Sequence, residues 1–465
     1  QFGGILGRTD KALEGFDHPD LDKDFKWDLM QAGWISADLN SVTDSARQDI
    51  LREICAEFTL LETELAVLPK QAIHNDANDY NILVSGELSQ PREISGLIDL
   101  GDMCAAPRVC DLAIAAAYIV LDHPEPEQAL AALTAGYHAE NPLTAQEISL
   151  IWPLLRMRLA VSVVNSTLMA ADNPDDPYIT ISQAPAWRFL EGFRLNADLV
   201  TARLRLACGM PLVTSGDRVL TFLNSECGQF APVLGEDLSA APMGSLSVEE
   251  SLWPQDPFHM PLDEAARVGE EFGTGVWLGY YAEPRLIYAE PAFRKGPWKA
   301  SNRRTVHLGI DVFAPAGRAI YTPMAGTVET VENRTGHLDY GGMVILRHTT
   351  PEGDAFYTLY GHLDPECCVR LKPGDQLDKG AAFCRLGDAS QNGGWAPHLH
   401  FQLALTTKGI EADWPGVADP DDLQFWTALC PNPAPLLNLP GTKTRYQPTD
   451  KAQVQAGRAS HFGGN

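Results

Sequence analysis

Apolar residues recur every three or four positions through much of the first two hundred residues. Ile50, Ile54, Phe58, Leu61 and Leu65 form one stripe, the pattern of an amphipathic helix. Ser41-Val42-Thr43-Asp44 offers a cap before it and Pro69 a stop after it. Residues 71–73 read as a short strand. The apolar runs 82–84 and 94–100, on either side of a polar, glycine-containing turn, predict a hairpin. Helices return over 109–121, from Thr144 onward with Pro153 inside, and over 185–208. Thr144-Ala145-Gln146-Glu147 is a capping-box pattern, and Gly209 and Pro211 close the helical block.

Texture changes at 209–296. Pro, Gly and aromatic residues are frequent there and no helical period persists, so this stretch reads as a linker with some strands. From 297 to 410 the pattern is β: 326–331, 343–348, 356–362 and 399–405 are short β-rich runs, and turns such as Lys372-Pro373-Gly374-Asp375 separate elements. Residues 411–465 are Pro-rich and then polar, an irregular tail. Neither an internal repeat nor a low-complexity tract is visible. The chain is expected to be multidomain α+β, a mostly helical lobe followed by a β-rich domain.

Composition narrows the partners. The chain has 465 residues, 45% hydrophobic and 21% charged, room for two or three globular domains. Its formal net charge of −26 repels phosphate backbones and anionic head groups, so neither nucleic acid nor a membrane surface is an expected partner. No apolar run approaches the ~20 residues of a membrane helix, and the start lacks the basic and apolar regions of a signal peptide. Nine scattered cysteines without a C-x-x-C pair fit reduced thiols and a cytoplasmic location better than a disulfide framework. The adjacent Cys367 and Cys368 suit a redox device, although idle buried thiols are commoner.

Two constellations carry chemistry. In His307-Leu308-Gly309-Ile310-Asp311 an imidazole and a carboxylate stand four apart, on one face of a strand. In His398-Leu399-His400 two imidazoles stand two apart, again on one face. Together they offer nitrogen, oxygen and nitrogen to one metal, with a fourth position for water, the donor set of a catalytic zinc. One of His398 and His400 is then spare to move protons, and His362 in Tyr360-Gly361-His362-Leu363 is a second candidate.

With Ala314-Pro315-Ala316-Gly317, Ala325-Gly326-Thr327-Val328 and Pro397-His398-Leu399-His400-Phe401 in the same order, this stretch resembles the lysostaphin-type zinc metallopeptidases, small antiparallel β domains. The resemblance implies that His307, Asp311 and His400 bind zinc, that His362 and His398 are catalytic, and that the substrate is a peptide, often a Gly-containing cross-link.

The second constellation is His74-Asn75-Asp76-Ala77-Asn78-Asp79-Tyr80-Asn81, between two strands, with Asp99 after the next one. Phosphoryl transfer needs a carboxylate near the acceptor hydroxyl and oxygen ligands for Mg2+. Asp76 suits the first role, Asn81 and Asp99 the second. With Val109-Cys110-Asp111-Leu112-Ala113 following, residues 1–208 resemble the C-lobe of the aminoglycoside phosphotransferase family, whose relatives include choline, homoserine and hydroxylysine kinases. That implies ATP with Mg2+, a small amine or hydroxyl substrate, and a structural role for Asp111. No Gly-rich phosphate loop or Val-Ala-Ile-Lys strand lies upstream of residue 74, so the chain is expected to be a piece of a longer protein without its N-lobe. The order of the two regions resembles bacterial fusions that continue into a class III aminotransferase. Residues 457–465 look like the approach to such a domain, which would hold pyridoxal phosphate. In that setting the alternative role of the β domain is a metal-bound spacer or binding module in an enzyme of small amino-alcohols or hydroxylated amines. Oligomeric state is not legible.

Overall fold

The computed structural model describes residues 1–87, 92–176, 178–192, 196–247, 275–289, 293, 304–411 and 414–448. Residues 457–465, read as the approach to a further domain, lie outside them. The chain divides into two compact units, Gln1–Pro211 and Leu212–Asn465.

The first unit is built around the helix Ala145–Asp172, whose residues from Ile148 to Ser166 are almost all buried. An all-round apolar helix belongs at the centre of a core. Its start is a complete capping box: Glu147 N donates to the Thr144 hydroxyl at 3.1 Å, and Thr144 N to Glu147 Oε2 at 2.7 Å. The helix Arg108–Ile119, buried from Val109 through Ala117, packs beside it. The helix Ser45–Ala66, capped by Asp44, lays Leu51, Ile54, Phe58 and Leu65 on the same core. Two further helices, Phe2–Ala12 and Pro126–Glu140, have no counterpart in the sequence reading. They run so close that a Cβ on Gly3 would sit 1.9 Å from Leu133 O, and one on Gly7 2.8 Å from Tyr137 O. The glycines at the start of the chain are thus contact residues of a helix pair. The helix expected over 185–208 is two, Gln183–Gly192 and Ala197–Ala207, because Asn196 accepts from Asp198 N and Leu199 N and caps a new start. Lys70–Ile73 pairs antiparallel with Cys104–Pro107, and Ile82–Ser85 with Glu93–Leu97 as the expected hairpin.

The second unit carries a seven-stranded antiparallel sheet. Its order is Gln376–Leu377, Gly326–Arg334, Gly341–Thr349, Ala355–Leu363, His398–Ala404, Ile310–Phe313 and Trp277–Leu278. Alternation is plain in His398–Ala404, where Leu399, Phe401 and Leu403 join the core with Val312, Val344 and Phe356. His398, His400 and Gln402 are left on the opposite face. Register sets His400 against Asp311 on one side and Gly361 on the other. Short ladders add Ala319–Tyr321 to Ala382–Arg385 and Val306–His307 to Val417–Ala418.

The flanks of this unit are more structured than expected. The stretch read as a linker with some strands contributes one edge strand, Trp277–Leu278, and also the helix Gly216–Ser225. The stretch read as an irregular tail contributes the helix Leu423–Leu429 and buried Phe425, Leu429, Leu436, Leu437 and Leu439. Isolated prolines and short elements hide their burial from a periodicity test. All nine cysteines are free, and the Cys367 and Cys368 sulfurs lie 3.7 Å apart. Among the described residues, no helix is long and apolar enough to cross a membrane.

Candidate functional site

His307, Asp311 and His400 are brought to one point by the sheet. His307 Nε2 lies 2.9 Å from His400 Nδ1 and 3.1 Å from Asp311 Oδ1, and His400 Nδ1 lies 3.2 Å from that same oxygen. Donors about 2.0–2.1 Å from a tetrahedral zinc stand about 3.3 Å apart, so the observed triangle needs only slight expansion.

The neighbours of each ring fix where its proton sits. His400 Nε2 is 2.9 Å from Gln402 Oε1, and Gln402 Nε2 donates to Pro415 O at 2.9 Å, which sets the amide with its oxygen towards the ring. His400 therefore carries its proton on Nε2 and turns the Nδ1 lone pair inward. His307 Nδ1 faces Tyr280 O at 3.3 Å, so its Nε2 is also a lone pair. Asp311 Oδ1 is buried without a hydrogen-bond donor. Two nitrogen lone pairs and a carboxylate oxygen converge with no proton between them, an arrangement that calls for a cation. The residues present fit zinc.

Burial holds His307 down to about 3, so its ring is neutral. Burial alone would raise the Asp311 carboxyl, but the Arg285 guanidinium bonded to its Oδ2 holds it well below the usual range. Gly309 is required by close approach: a Cβ there would sit 2.8 Å from His400 Cε1 and 2.9 Å from Phe401 O.

His398 and His362 stand beside this centre, their ring centroids 4.4 Å apart. His398 Nδ1 donates to Ala396 O at 2.6 Å, and its Nε2 lies 3.6 Å from Asp311 Oδ1. His362 Nδ1 faces Asn392 O at 3.3 Å. Its φ of 63° is left-handed, rare for a residue with a side chain. The bonds His362 N to Tyr340 O at 2.7 Å and Gly387 N to His362 O at 3.0 Å hold it there. Burial lowers both imidazoles, that of His362 well below its ordinary value with His398 and His400 adding to the effect. His362 and His400 line a cleft of about 220 Å³, walled by Tyr288, Tyr340, Trp395 and Trp414.

In the first unit, Asp76 and Asn81 touch directly. Asn81 Nδ2 donates to Asp76 Oδ2 at 2.9 Å and to Asp76 O at 2.9 Å. Asn78 Nδ2 reaches Oδ2 at 3.0 Å, and Arg158 Nη2 donates to Asp76 Oδ1 at 3.1 Å. Burial raises the Asp76 carboxyl, with Arg158 pulling the other way. The loop is pinned from below, since Asp111 accepts from His74 N at 3.3 Å and Asn75 N at 2.7 Å. Asp10 is buried beneath the same loop, bonded by the Tyr137 hydroxyl at 2.5 Å and raised well above the carboxylate range by burial and by Asp111. Asp99 is apart from the Asp76–Asn81 contact. The strand before it, Glu93–Leu97, pairs with the one after Asn81, through Ile82 against Leu97 and, just beyond, Ile98 N to Asn81 O at 3.0 Å. The Asp99 carboxylate, however, is exposed and accepts from Gly101 N at 3.3 Å, capping the turn Leu100–Asp102.

Sequence reasoning missed Arg158, Asp10, Glu283, Arg285 and Gln402. Only Gln402 left a signal, two residues after His400 on the same strand face.

Residues 1–148 match the phosphotransferase enzyme family, and residues 305–412 match peptidase family M23. Hydroxylysine kinase of Mus musculus is 28% identical over 201 residues, covering 41% of this chain and 54% of that protein. The chain thus spans about half the length of the curated relatives it matches. Among solved structures, a zinc-containing peptidase from Vibrio cholerae is 24% identical over 27% of this chain and 36% of its own, with a TM-score of 0.18. The catalytic domain of lysostaphin from Staphylococcus simulans is 20% identical over 29% of this chain and 88% of its own, with a TM-score of 0.19. This chain carries a phosphotransferase-family domain in residues 1–148 and an M23 peptidase-family domain in residues 305–412.

Proposed function

We propose that the M23 domain is a zinc-dependent hydrolase of peptide bonds, with His307, Asp311 and His400 as metal ligands and His362 and His398 as proton carriers. The observation that carries this reading is the convergence of three unprotonated donor atoms on one buried point beside an open cleft. Bound zinc supplies Lewis acidity for the scissile carbonyl and lowers the pKa of a coordinated water to about 7. His398 keeps its proton on Nδ1 against Ala396 O, which leaves Nε2 facing the ligands. A neutral imidazole so placed takes a proton at Nε2 during attack and returns it to the departing amine. His362 does the same from the cleft side, or holds the developing oxyanion when protonated. The aromatic walls shed water and position an extended peptide.

Metal analysis and peptide hydrolysis test this together. The full chain takes up about one zinc, and His307→Ala does not. His362→Ala keeps the zinc and loses roughly 10²–10⁴ in rate on Gly-containing peptides, the usual worth of a general acid or base. A zinc-loaded chain that cleaves no such peptide favours a metal-bound spacer.

A second reading belongs to the first unit and rests on the Asp76–Asn81–Arg158 cluster. It is a phosphotransferase lobe, Asp76 orienting an acceptor hydroxyl and Asn81 and Asp99 holding Mg2+ against ATP phosphates. The likeness to hydroxylysine kinase makes a hydroxylated amine the first acceptor to try. Asp76→Asn abolishes transfer to hydroxylysine in a protein that also contains an ATP-clamping lobe. Undiminished transfer in that variant removes Asp76 from the chemistry.

A further inference from the structure

Ahead of the region that matches the peptidase family, residues 283–285 run beside the strand that bears His307. His307 N donates to Glu283 O at 2.9 Å and Arg285 N to Thr305 O at 3.0 Å. This pairing aims one side chain at the metal ligands. Arg285 Nη1 donates to Asp311 Oδ2 at 2.5 Å, while its Nε donates to Glu283 Oε2 at 2.8 Å. The other Glu283 oxygen accepts from the Ser245 hydroxyl at 2.8 Å and Leu246 N at 2.9 Å. Glu283, Arg285 and Asp311 are 0%, 2% and 1% exposed. Gly279 makes room for the guanidinium, since a Cβ there would lie 2.9 Å from Arg285 Nη2.

We propose that Arg285, counterbalanced by Glu283, is the positioning residue of the metal centre. It holds Asp311 by Oδ2 so that only Oδ1 is presented to the ion, and this sets metal affinity and coordination. The inference rests on the zinc reading above and adds residues outside the ligand set.

A carboxylate can bind a cation through one oxygen or both, and it turns freely unless its second oxygen is engaged. Arg285 engages it, which keeps a coordination position open for water. A guanidinium beside a divalent cation is itself repulsive, and in a buried site that repulsion is poorly screened. Glu283 supplies the opposing charge, and all its contacts are donors, which suits the ionised carboxylate. One planar fork reaches both carboxylates at once through Nε and Nη1, which a lysine ammonium on its single stem does not reproduce.

The test uses the full chain, titrated with zinc against a competing chelator and, separately, loaded with cobalt(II) for its visible absorption. Arg285→Met weakens zinc binding 10–100-fold, the usual effect of losing a ligand's supporting partner. Its cobalt bands lose intensity as Asp311 turns to bind through both oxygens. Arg285→Lys restores neither. Glu283→Gln also weakens zinc but keeps the parental cobalt band shape, because Asp311 is still held. Parental affinity and parental cobalt bands in Arg285→Met overturn the proposal. If circular dichroism shows that variant unfolded, parental zinc affinity in Glu283→Gln overturns it instead. A parent chain that takes up no zinc overturns the zinc reading, and this inference falls with it.

Discussion

His348 shows how one buried ring ties the sheet to pH. It lies in the strand Gly341–Thr349, its Nδ1 donating to Ala325 O at 2.9 Å and its Nε2 2.8 Å from the Thr358 hydroxyl. Burial holds it at about 4, below its ordinary 6.5. The unfolded chain takes up this proton below pH 6.5 and the folded chain only near 4, so stability present above 6.5 is lost as pH falls. Each pH unit between those two values is worth roughly 1.4 kcal/mol, so this one residue accounts for roughly 3 kcal/mol. The melting temperature of the sheet unit therefore falls steeply from pH 6.5 to 4. His348→Gln, which has no proton to gain, shows a shallower slope from a lower start. Parallel slopes would assign the acid sensitivity elsewhere. At this scale His307, Asp311, His398 and His400 were readable as candidate donors from their spacings, and the resemblance to the peptidase family chose His400 over His398. The single strand expected to carry His307 and Asp311 is broken at Leu308-Gly309, so the two come from separate strands, Val306–His307 and Ile310–Phe313. Arg285 was not readable: it acts on Asp311 from 26 residues upstream, through a pairing that no local period announces. Asp10, 127 residues from Tyr137, was hidden for the same reason.

At the scale of elements, register does the positioning. His400 faces Asp311 across one ladder and Gly361 across the other. Strict alternation would turn the next residue, His362, away, and its left-handed φ of 63° beside the register shift between Gly342 and Val344 brings it to the centre instead. A one-residue slip in either ladder would turn His398, His400 and Gln402 into the core and Leu399 and Phe401 out of it, and this gives the pairing a steep preference. The four main strands were legible because their apolar runs are long and bounded by turns. The capping box of Ala145–Asp172 was legible because its chemistry is local. The pair Phe2–Ala12 and Pro126–Glu140 was missed because its contact depends on glycines, which carry no hydrophobic signal. The break between Gln183–Gly192 and Ala197–Ala207 was missed because a lone Asn inside a helical period looks like a surface residue until its cap is seen.

At the scale of the molecule, each unit has its own hydrophobic cluster. A ligand stabilises only the unit that binds it, by about 2.7 kcal/mol at a hundredfold excess over Kd. Calorimetry of the full chain is expected to show two transitions, and zinc is expected to raise the one belonging to the sheet unit by roughly 5–10 °C while leaving the other in place. A zinc shift of both transitions, or of the helical unit alone, contradicts the assignment of the metal to His307, Asp311 and His400.

The edge strand Trp277–Leu278 and the Glu283–Arg285 run both precede residue 305, where the match to the peptidase family begins. Trp277 lies flat on Phe313 with ring centroids 3.7 Å apart. Scissors placed at the family border would spare His307, Asp311 and His400 and yet strip the module of its outer wall and of the counter-ion beneath Asp311. A self-sufficient piece of this domain is therefore expected to begin well before residue 305, where the family match starts.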